Sequence, residues 1–328
     1  MNYVKKNIFA GWFAAILVAV IWGVTGVVAK PLTSVVNPII LVFYCYVAAA
    51  VGLILIFSVS HRFKSLNKDL GSSLKIEKKD IARIAFCGIV GQGCFALFNF
   101  LSLSYITVTS NGVVQGMQPF ATIFFGIMFF HFRMNKIQWT AFILSAICIV
   151  LMTMNHSAGN SGSGNTLLGV LLVTCSMLSL AWTSYLRNSL SEKYGSVVSM
   201  LYQYISVAIC GFIIVYAMGL KFSQIAIILS SPLLICLLLF SGIVISGGSY
   251  LIQLYSFKRI GVEKSTMALN LVPLVSYIFA VFTLGEPLLL GKTILILIIV
   301  TALYVFTKYG TNDCNKIKTS SELKLEAS

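Results

Sequence analysis

The chain has 328 residues, 58% of them hydrophobic and 10% charged, with a mean hydropathy of +0.94. Soluble domains carry about 25% charged and about 45–50% apolar residues, so this composition specifies an integral membrane protein. Lys and Arg number 23 against 9 Asp and Glu, a net charge of +14, but the basic residues are scattered between long apolar runs; that pattern points to orientation in a bilayer rather than nucleic acid, and it excludes a disordered chain, a disulfide-rich secreted module and a porin-type barrel.

Crossing about 30 Å of hydrocarbon takes roughly 20 apolar residues. Ten runs qualify, at about 10–29, 38–59, 82–103, 107–130, 137–154, 167–187, 197–218, 233–257, 265–284 and 288–307. The first follows Lys5 and Lys6 without a small-residue cleavage site, so it reads as a retained helix. With the amino terminus inside, 20 of the 23 basic residues fall on the inner side, and only Lys30, Lys221 and Lys292 lie outside. Both termini are therefore expected in the cytoplasm, with the plasma (bacterial inner) membrane as the location. A neutral linker, NHSAGNSGSGNT from Asn155 to Thr166, divides the spans into two sets of five. The expected organisation is a cytoplasmic amino terminus (1–9), a first five-helix repeat (10–154), an external linker (155–166), a second repeat (167–307) and a cytoplasmic tail (308–328). Because five is odd, equivalent helices run in opposite directions, which is the topology of an inverted repeat. An offset of 154 places Pro119 on Pro273, Asn99 on Gln253, Ser102 on Ser256 and Val108 on Val262, while an offset of 160 places Trp22 on Trp182. The fold class is thus an all-α membrane protein of ten transmembrane helices, two inverted five-helix repeats around a central cavity.

Polar residues inside the spans fall in stripes. They are Gln92, Asn99 and Ser102 in the third; Asn111, Gln115, Gln118 and Thr122 in the fourth; Ser246, Ser249, Tyr250 and Gln253 in the eighth; and Thr266, Asn270 and Tyr277 in the ninth. These spacings suit a period of 3.6 residues. Amides are costly to leave unpaired in hydrocarbon, so the striped faces look inward, toward neighbouring helices or a wet cavity. Pro119 and Pro273 each remove a helical N–H and are expected to kink or hinge their helices. Gly112 and Gly116 make one GxxxG spacing, whose expected use is close packing. Trp22 and Trp182 lie within spans rather than at the interfacial belt, where a ring can stack on a ligand.

Other chemistry is missing. Seven of the eight cysteines sit in apolar runs, Cys314 lies in the tail, and no CxxC pair occurs, so neither a zinc site nor a redox motif is indicated. No acid lies deep in a span, and no protease signature with its histidine or paired aspartates is found, which argues against an intramembrane enzyme. Catalytic residues, metal ligands and a cofactor are not expected.

Ten spans in two inverted halves, Trp22-Gly23 followed by Lys30, Pro119 in the fourth span, and the run PLVSYIFAVFTLGEP from Pro273 to Pro287 resemble the EamA branch of the drug/metabolite transporter superfamily, over about residues 10–307. The first half departs from the pattern, with His131-Phe132 where the second has Gly285-Glu286. The resemblance implies a secondary carrier whose cavity is walled by the first, third, fourth, sixth, eighth and ninth helices and opens alternately to the two sides. Many such relatives export amino acids or other small metabolites. Carried onto this chain, the cavity gives Trp22, Gln92, Asn99, Gln115, Trp182, Tyr250, Gln253 and Asn270 as substrate-binding residues. No span has a deep basic residue, which argues against phosphate-bearing substrates, and the first helix lacks the embedded Glu used by relatives that expel lipophilic cations. A small neutral or zwitterionic metabolite is expected, amino acids first, with export favoured. The alternatives are uptake or exchange of S-adenosylmethionine or a nucleotide-type metabolite, and, in another class, a non-transporting receptor or structural membrane protein. The expected partners are a small-molecule substrate and the lipid bilayer, with no nucleic acid; the oligomeric state is open.

Overall fold

A computed structural model of the chain describes residues 2–62, 74–130, 134–154, 166–285 and 290–309. The linker at 155–165, the loop at 63–73, the tail from 310, and His131, Phe132, Glu286 and Pro287 lie outside the described residues.

Among the described residues the long helices are α1 (Asn2–Val35), α2 (Pro38–Arg62), α3 (Lys78–Ser102), α4 (Val108–Gln115 and Gln118–Phe130), α5 (Lys136–Met154), α6 (Thr166–Tyr194), α7 (Ser196–Ala217), α8 (Pro232–Ile260), α9 (Val262–Leu284) and α10 (Leu290–Tyr309), with one five-residue helix, Ile225–Leu229, in the connection from α7 to α8. Eight of them are long and apolar enough to cross a membrane, and α5 and α10 contribute shorter apolar stretches. The fold is the all-helical ten-helix arrangement that the sequence implies. Large side chains such as Phe13, Leu55, Trp139, Phe212, Leu233 and Phe282 stand exposed around the outside. That is the expected surface of a protein whose solvent is lipid.

The two-fold relation of the halves is visible in the backbone. The halves of α4 begin at Val108 and Gln118, and the corresponding segments of α9 begin at Val262 and Val272, each 154 residues later. Both helices are interrupted between those points: α4 by a turn at Gly116 and Met117, α9 by a 3₁₀ segment, Ala268–Leu271. Pro119 and Pro273 each sit at the second residue of the following half-helix. There the missing N–H breaks no intrahelical bond, so each proline starts a segment instead of bending a continuous one.

A second matched interruption was not among the repeats found in the sequence. Both α3 and α8 widen into π-helix, over Cys87–Gly93 and Phe240–Gly248. The segments Cys-Gly-Ile-Val-Gly-Gln-Gly (87–93) and Ser-Gly-Ile-Val-Ile-Ser-Gly (241–247) align at the same offset of 154. Close approach explains the first glycine of each. A Cβ on Gly88 would stand 2.4 Å from the Gln203 carbonyl oxygen of α7, and one on Gly242 would stand 2.8 Å from the Cys45 carbonyl oxygen of α2. The next residues along those partner helices, Tyr204 and Tyr46, complete the symmetry. The Tyr46 hydroxyl donates to the Gln92 carbonyl at 2.8 Å, and the Tyr204 hydroxyl donates to the Ser246 carbonyl, the position equivalent to Gln92. Their rings meet edge to face, 5.1 Å apart, where the two halves join.

A third contact brings α1, α4 and α9 together. A Cβ on Gly112 would fall 2.2 Å from the Ser276 Oγ, and one on Gly116 would fall 2.4 Å from Cγ of Pro273. The GxxxG pair therefore packs α4 against α9, and Ser276 in turn donates to the Gly23 carbonyl of α1 at 2.8 Å. The interior so assembled is one large apolar cluster running through α1, α2, α3, α7 and α8, while α5 and α10 pack on each other at the periphery.

Candidate functional site

Every member of the four polar stripes is buried. Members of three of them, in α3, α4 and α8, border a small cavity of about 20 Å³, lined by Trp22 and Thr25 of α1, Tyr46 of α2, Phe95, Asn99 and Phe100 of α3, Gln115 of α4, and Ser246 and Tyr250 of α8. That volume admits about one water molecule. Two larger hollows, about 390 and 400 Å³, are open grooves on the outer surface, between α5 and α10 and between α1 and α8. Neither contains a residue of the polar stripes.

Trp22 supplies its aromatic wall. The indole Nε1 donates to Ser249 Oγ at 2.7 Å, which holds the ring between Phe95 (5.8 Å) and Tyr250 (5.1 Å). Amides form the opposite wall. Gln115 Nε2 donates to Asn111 Oδ1 at 2.7 Å, and Asn111 Nδ2 donates to Ser102 Oγ at 2.7 Å, with Asn99 Oδ1 at the limit of reach, 3.5 Å. Asn99 Nδ2 is left without a partner.

The other residues singled out in the sequence are distributed differently. Gln92 faces α7, donating to Gln203 Oε1 at 3.2 Å and to the Met200 sulfur at 3.4 Å, rather than lining the cavity. Asn270 is buried in the 3₁₀ segment of α9 with its Oδ1 unpaired. Gln253 lies one turn along α8 from Tyr250. Trp182 lies apart from all of them. It is 50% exposed, stacked on Phe125 at 6.2 Å and against Phe86. The inward stripe of α6 runs through Ser176, Leu180, Thr183, Ser184 and Arg187, and position 182 falls outside that arc, next to the exposed Leu178.

Arg187 corrects the expectation that no span holds a deep basic residue. Hydropathy ends the sixth span at about 187, which sets Arg187 at a membrane edge. α6 instead continues to Tyr194, leaving Arg187 about 10 Å, or two turns, inside the helix end. Its side chain is fully buried. The polar run Arg-Asn-Ser-Leu-Ser-Glu-Lys-Tyr disguised the helix. A usable signal was present in the spacing of Ser176, Thr183, Ser184 and Arg187, which continues one helical face. Gln203 also has a signal in the sequence, the i, i+4 pair with Ser199, to whose Oγ its Nε2 donates at 3.1 Å; Tyr46 and Tyr204 have none, since a tyrosine in an apolar helix is as compatible with the core as with a polar face.

Beyond Arg187, α3 and α6 are tied at the end that carries the chain's basic residues. Lys193 Nζ lies 2.7 Å from Asp80 Oδ2 and 2.7 Å from Glu77 Oε1, and the Tyr194 hydroxyl donates to Asp80 Oδ2 at 2.6 Å. The Lys193 ammonium, and then that of Lys79, hold the Glu77 carboxyl below its ordinary value. The pair therefore persists through mild acid and is lost only as pH falls through that lowered value. At the other end of α3, the Lys30 ammonium of α1 donates to the Leu103 carbonyl.

Residues 9–154 and 167–308 each match the model of the EamA-like transporter family. The chain belongs to that family. An uncharacterized transporter of Haemophilus influenzae is 23% identical over 278 residues, covering 84% of this chain and 85% of the relative. A protein of known crystal structure, 14% identical, matches 93% of this chain and 97% of its own length with a TM-score of 0.65, which shows a common fold. The EamA assignment makes this a multi-pass integral membrane protein of a transporter family, a class generally without enzymatic activity.

Proposed function

We propose that the protein is a secondary transporter that moves a small zwitterionic or neutral metabolite, most favourably an amino acid or a related compound, by alternating access. The observation that carries this reading is the small central cavity, with an aromatic wall at Trp22, Phe95 and Tyr250 and an amide wall at Asn99 and Gln115. An apolar surface with a few convergent polar groups is the usual chemistry of a small-molecule site. At about 20 Å³ the cavity is too small for such a solute, so loading requires the helix bundles to separate at one end. The ties at Asp80–Lys193 and Lys30–Leu103 mark the two ends where opening occurs. The matched breaks in α4 and α9 support this reading, since discontinuous helices at the meeting of inverted repeats are a recurring way to build carrier sites. Pro119 and Pro273 serve as the pivots. The plasma membrane, cytoplasmic termini and the export direction complete the proposal; the distribution of basic residues supports the orientation, and the family resemblance supports export.

Uptake into proteoliposomes of radiolabelled amino acids and S-adenosylmethionine tests it. Saturable flux of at least one compound, accelerated by the same compound on the opposite side, is expected. No saturable flux of any would remove the carrier assignment. A nucleotide-type or S-adenosylmethionine substrate is the second reading, favoured by the Trp22–Tyr250 ring pair, on which a planar base can stack.

A further inference from the structure

Arg187 presents a problem in physical chemistry that the cavity alone does not solve. The guanidinium is fully buried, and a buried charge is tolerated where it is paired or fully hydrogen-bonded. Here it is neither. Among the described residues no carboxylate reaches it. Its Nη2 makes two long contacts, to Ser184 Oγ at 3.4 Å and Gln253 Oε1 at 3.5 Å, while Nε and Nη1 donate to nothing. The Tyr250 ring lies 5.3 Å from its Cζ, which accommodates the charge but leaves the N–H groups unmet.

The neighbouring unpaired groups have the same character. Gln253 uses its oxygen on Arg187, and its Nε2 is left without an acceptor; the Tyr250 hydroxyl has no partner either. Both side chains are at least nine-tenths buried. The cluster therefore holds an excess of donors around one positive charge, with only Ser184 Oγ and Gln253 Oε1 as distant acceptors. An anion with oxygen acceptors supplies what is missing.

We propose that Arg187, Gln253 and Tyr250 form the binding site for the carboxylate of the transported metabolite. A carboxylate is favoured over a phosphate because one guanidinium balances one negative charge, and among the described residues no second cation joins the cluster. Tyr250 is shared with the central cavity, where its ring is 5.1 Å from Trp22. The carboxylate thus sits on the Arg187 side of Tyr250, and the remainder of the molecule extends toward Trp22, Asn99 and Gln115. The inference rests on the carrier reading and narrows it, since a wholly neutral substrate would leave Arg187 uncompensated.

The test uses the purified full-length chain in detergent, with L-alanine, L-leucine and L-phenylalanine each compared with its amide and its decarboxylated amine, and with inorganic phosphate alone. Thermal unfolding and tryptophan fluorescence report binding. At least one free acid should raise the unfolding temperature, and its amide and amine should not. Arg187→Gln should abolish the response, Arg187→Lys should retain a weaker one, and Tyr250→Phe, which removes one hydroxyl and little volume, should weaken binding by about 2- to 12-fold. Equal responses to acid and amide, a response to phosphate without one to the acids, no response to any acid, or undiminished binding in Arg187→Gln would each overturn the assignment. Should Arg187→Gln fail to fold, the acid-against-amide comparison and Tyr250→Phe still decide it. Proteoliposome flux separates the two claims. Normal amino acid transport in Arg187→Gln would leave the carrier and remove the anion site, whereas acid binding through Arg187 without flux would do the reverse.

Discussion

Gln115 and Asn270 illustrate how residues of one type acquire different duties. Gln115 borders the cavity and begins a relay of amides, whereas Asn270 occupies the unwound segment of α9 with an unpaired oxygen. Replacing either with Leu removes an amide without opening a large void. Each change is expected to weaken substrate affinity by about 2- to 12-fold, the equivalent of about 0.5–1.5 kcal/mol for one hydrogen bond, measured as the concentration dependence of flux at equal expression. Trp182→Leu is the contrasting case, since that ring packs on Phe125 at the outer surface; its affinity should match the parent chain. A loss as large as that in Gln115→Leu would bring Trp182 back to the substrate path. At this scale the stripes were legible because amides in hydrocarbon must face inward. Arg187 was not, because a charged residue near a polar run looks like a loop until the helix is seen to continue through it.

Among the elements, the paired π-helices of α3 and α8 make the clearest energetic claim. Gly88 has no room for a methyl group against the α7 backbone, whereas the nearest atom to a Cβ on Gly248 is 3.6 Å away. Gly88→Ala should therefore destabilise the protein by about 1–3 kcal/mol through overpacking, and Gly248→Ala should stay within about 0.5 kcal/mol of the parent; thermal melting in detergent compares them. Tyr46→Phe and Tyr204→Phe each take a hydroxyl from a buried carbonyl of a π-segment, at a cost of about 1–3 kcal/mol. Because the two rings touch, the double variant should depart from additivity by about 0.5 kcal/mol or more. Equal melting of the four single variants, the double variant and the parent would show that the π-segments carry no such constraint. Helix existence was readable from hydropathy, and the breaks at Pro119 and Pro273 from composition. The π-segments were not, because the residues at 87–93 and 241–247 also suit an ordinary α-helix, and their close approach to α7 and α2 appears only once the helices are packed.

For the molecule as a whole, the proposed orientation places residue 72 inside and residue 161 outside. In a cysteine-free background, an impermeant thiol reagent applied from outside should label Ser161→Cys and spare Ser72→Cys; the opposite pattern would reverse the orientation. Coupling also belongs to this scale. Among the described residues no carboxylate borders the central cavity, and Asp80, although buried, is engaged by Lys193 and Tyr194 at the rim. Substrate exchange in proteoliposomes should therefore continue when an ionophore collapses the proton gradient. A substrate-dependent proton flux of fixed stoichiometry, abolished by Asp80→Asn, would assign that tie a role in coupling.

Membrane insertion, ten helices, two inverted halves and the inward direction of the polar stripes were all determined by the sequence alone. Each follows from the cost of placing charge or unpaired amide in hydrocarbon, which is a property of residues and their spacing. Tertiary structure decided the remainder: that Trp22 turns into the cavity while Trp182 turns to the outer surface, that Tyr46 and Tyr204 meet where the halves join, and that Arg187 lies buried among unpaired donors. These outcomes depend on helix rotation, on where a helix ends, and on what the neighbouring helix presents. A one-dimensional pattern of polar and apolar residues does not encode such contacts, because several rotations and endpoints satisfy it equally until the helices are packed.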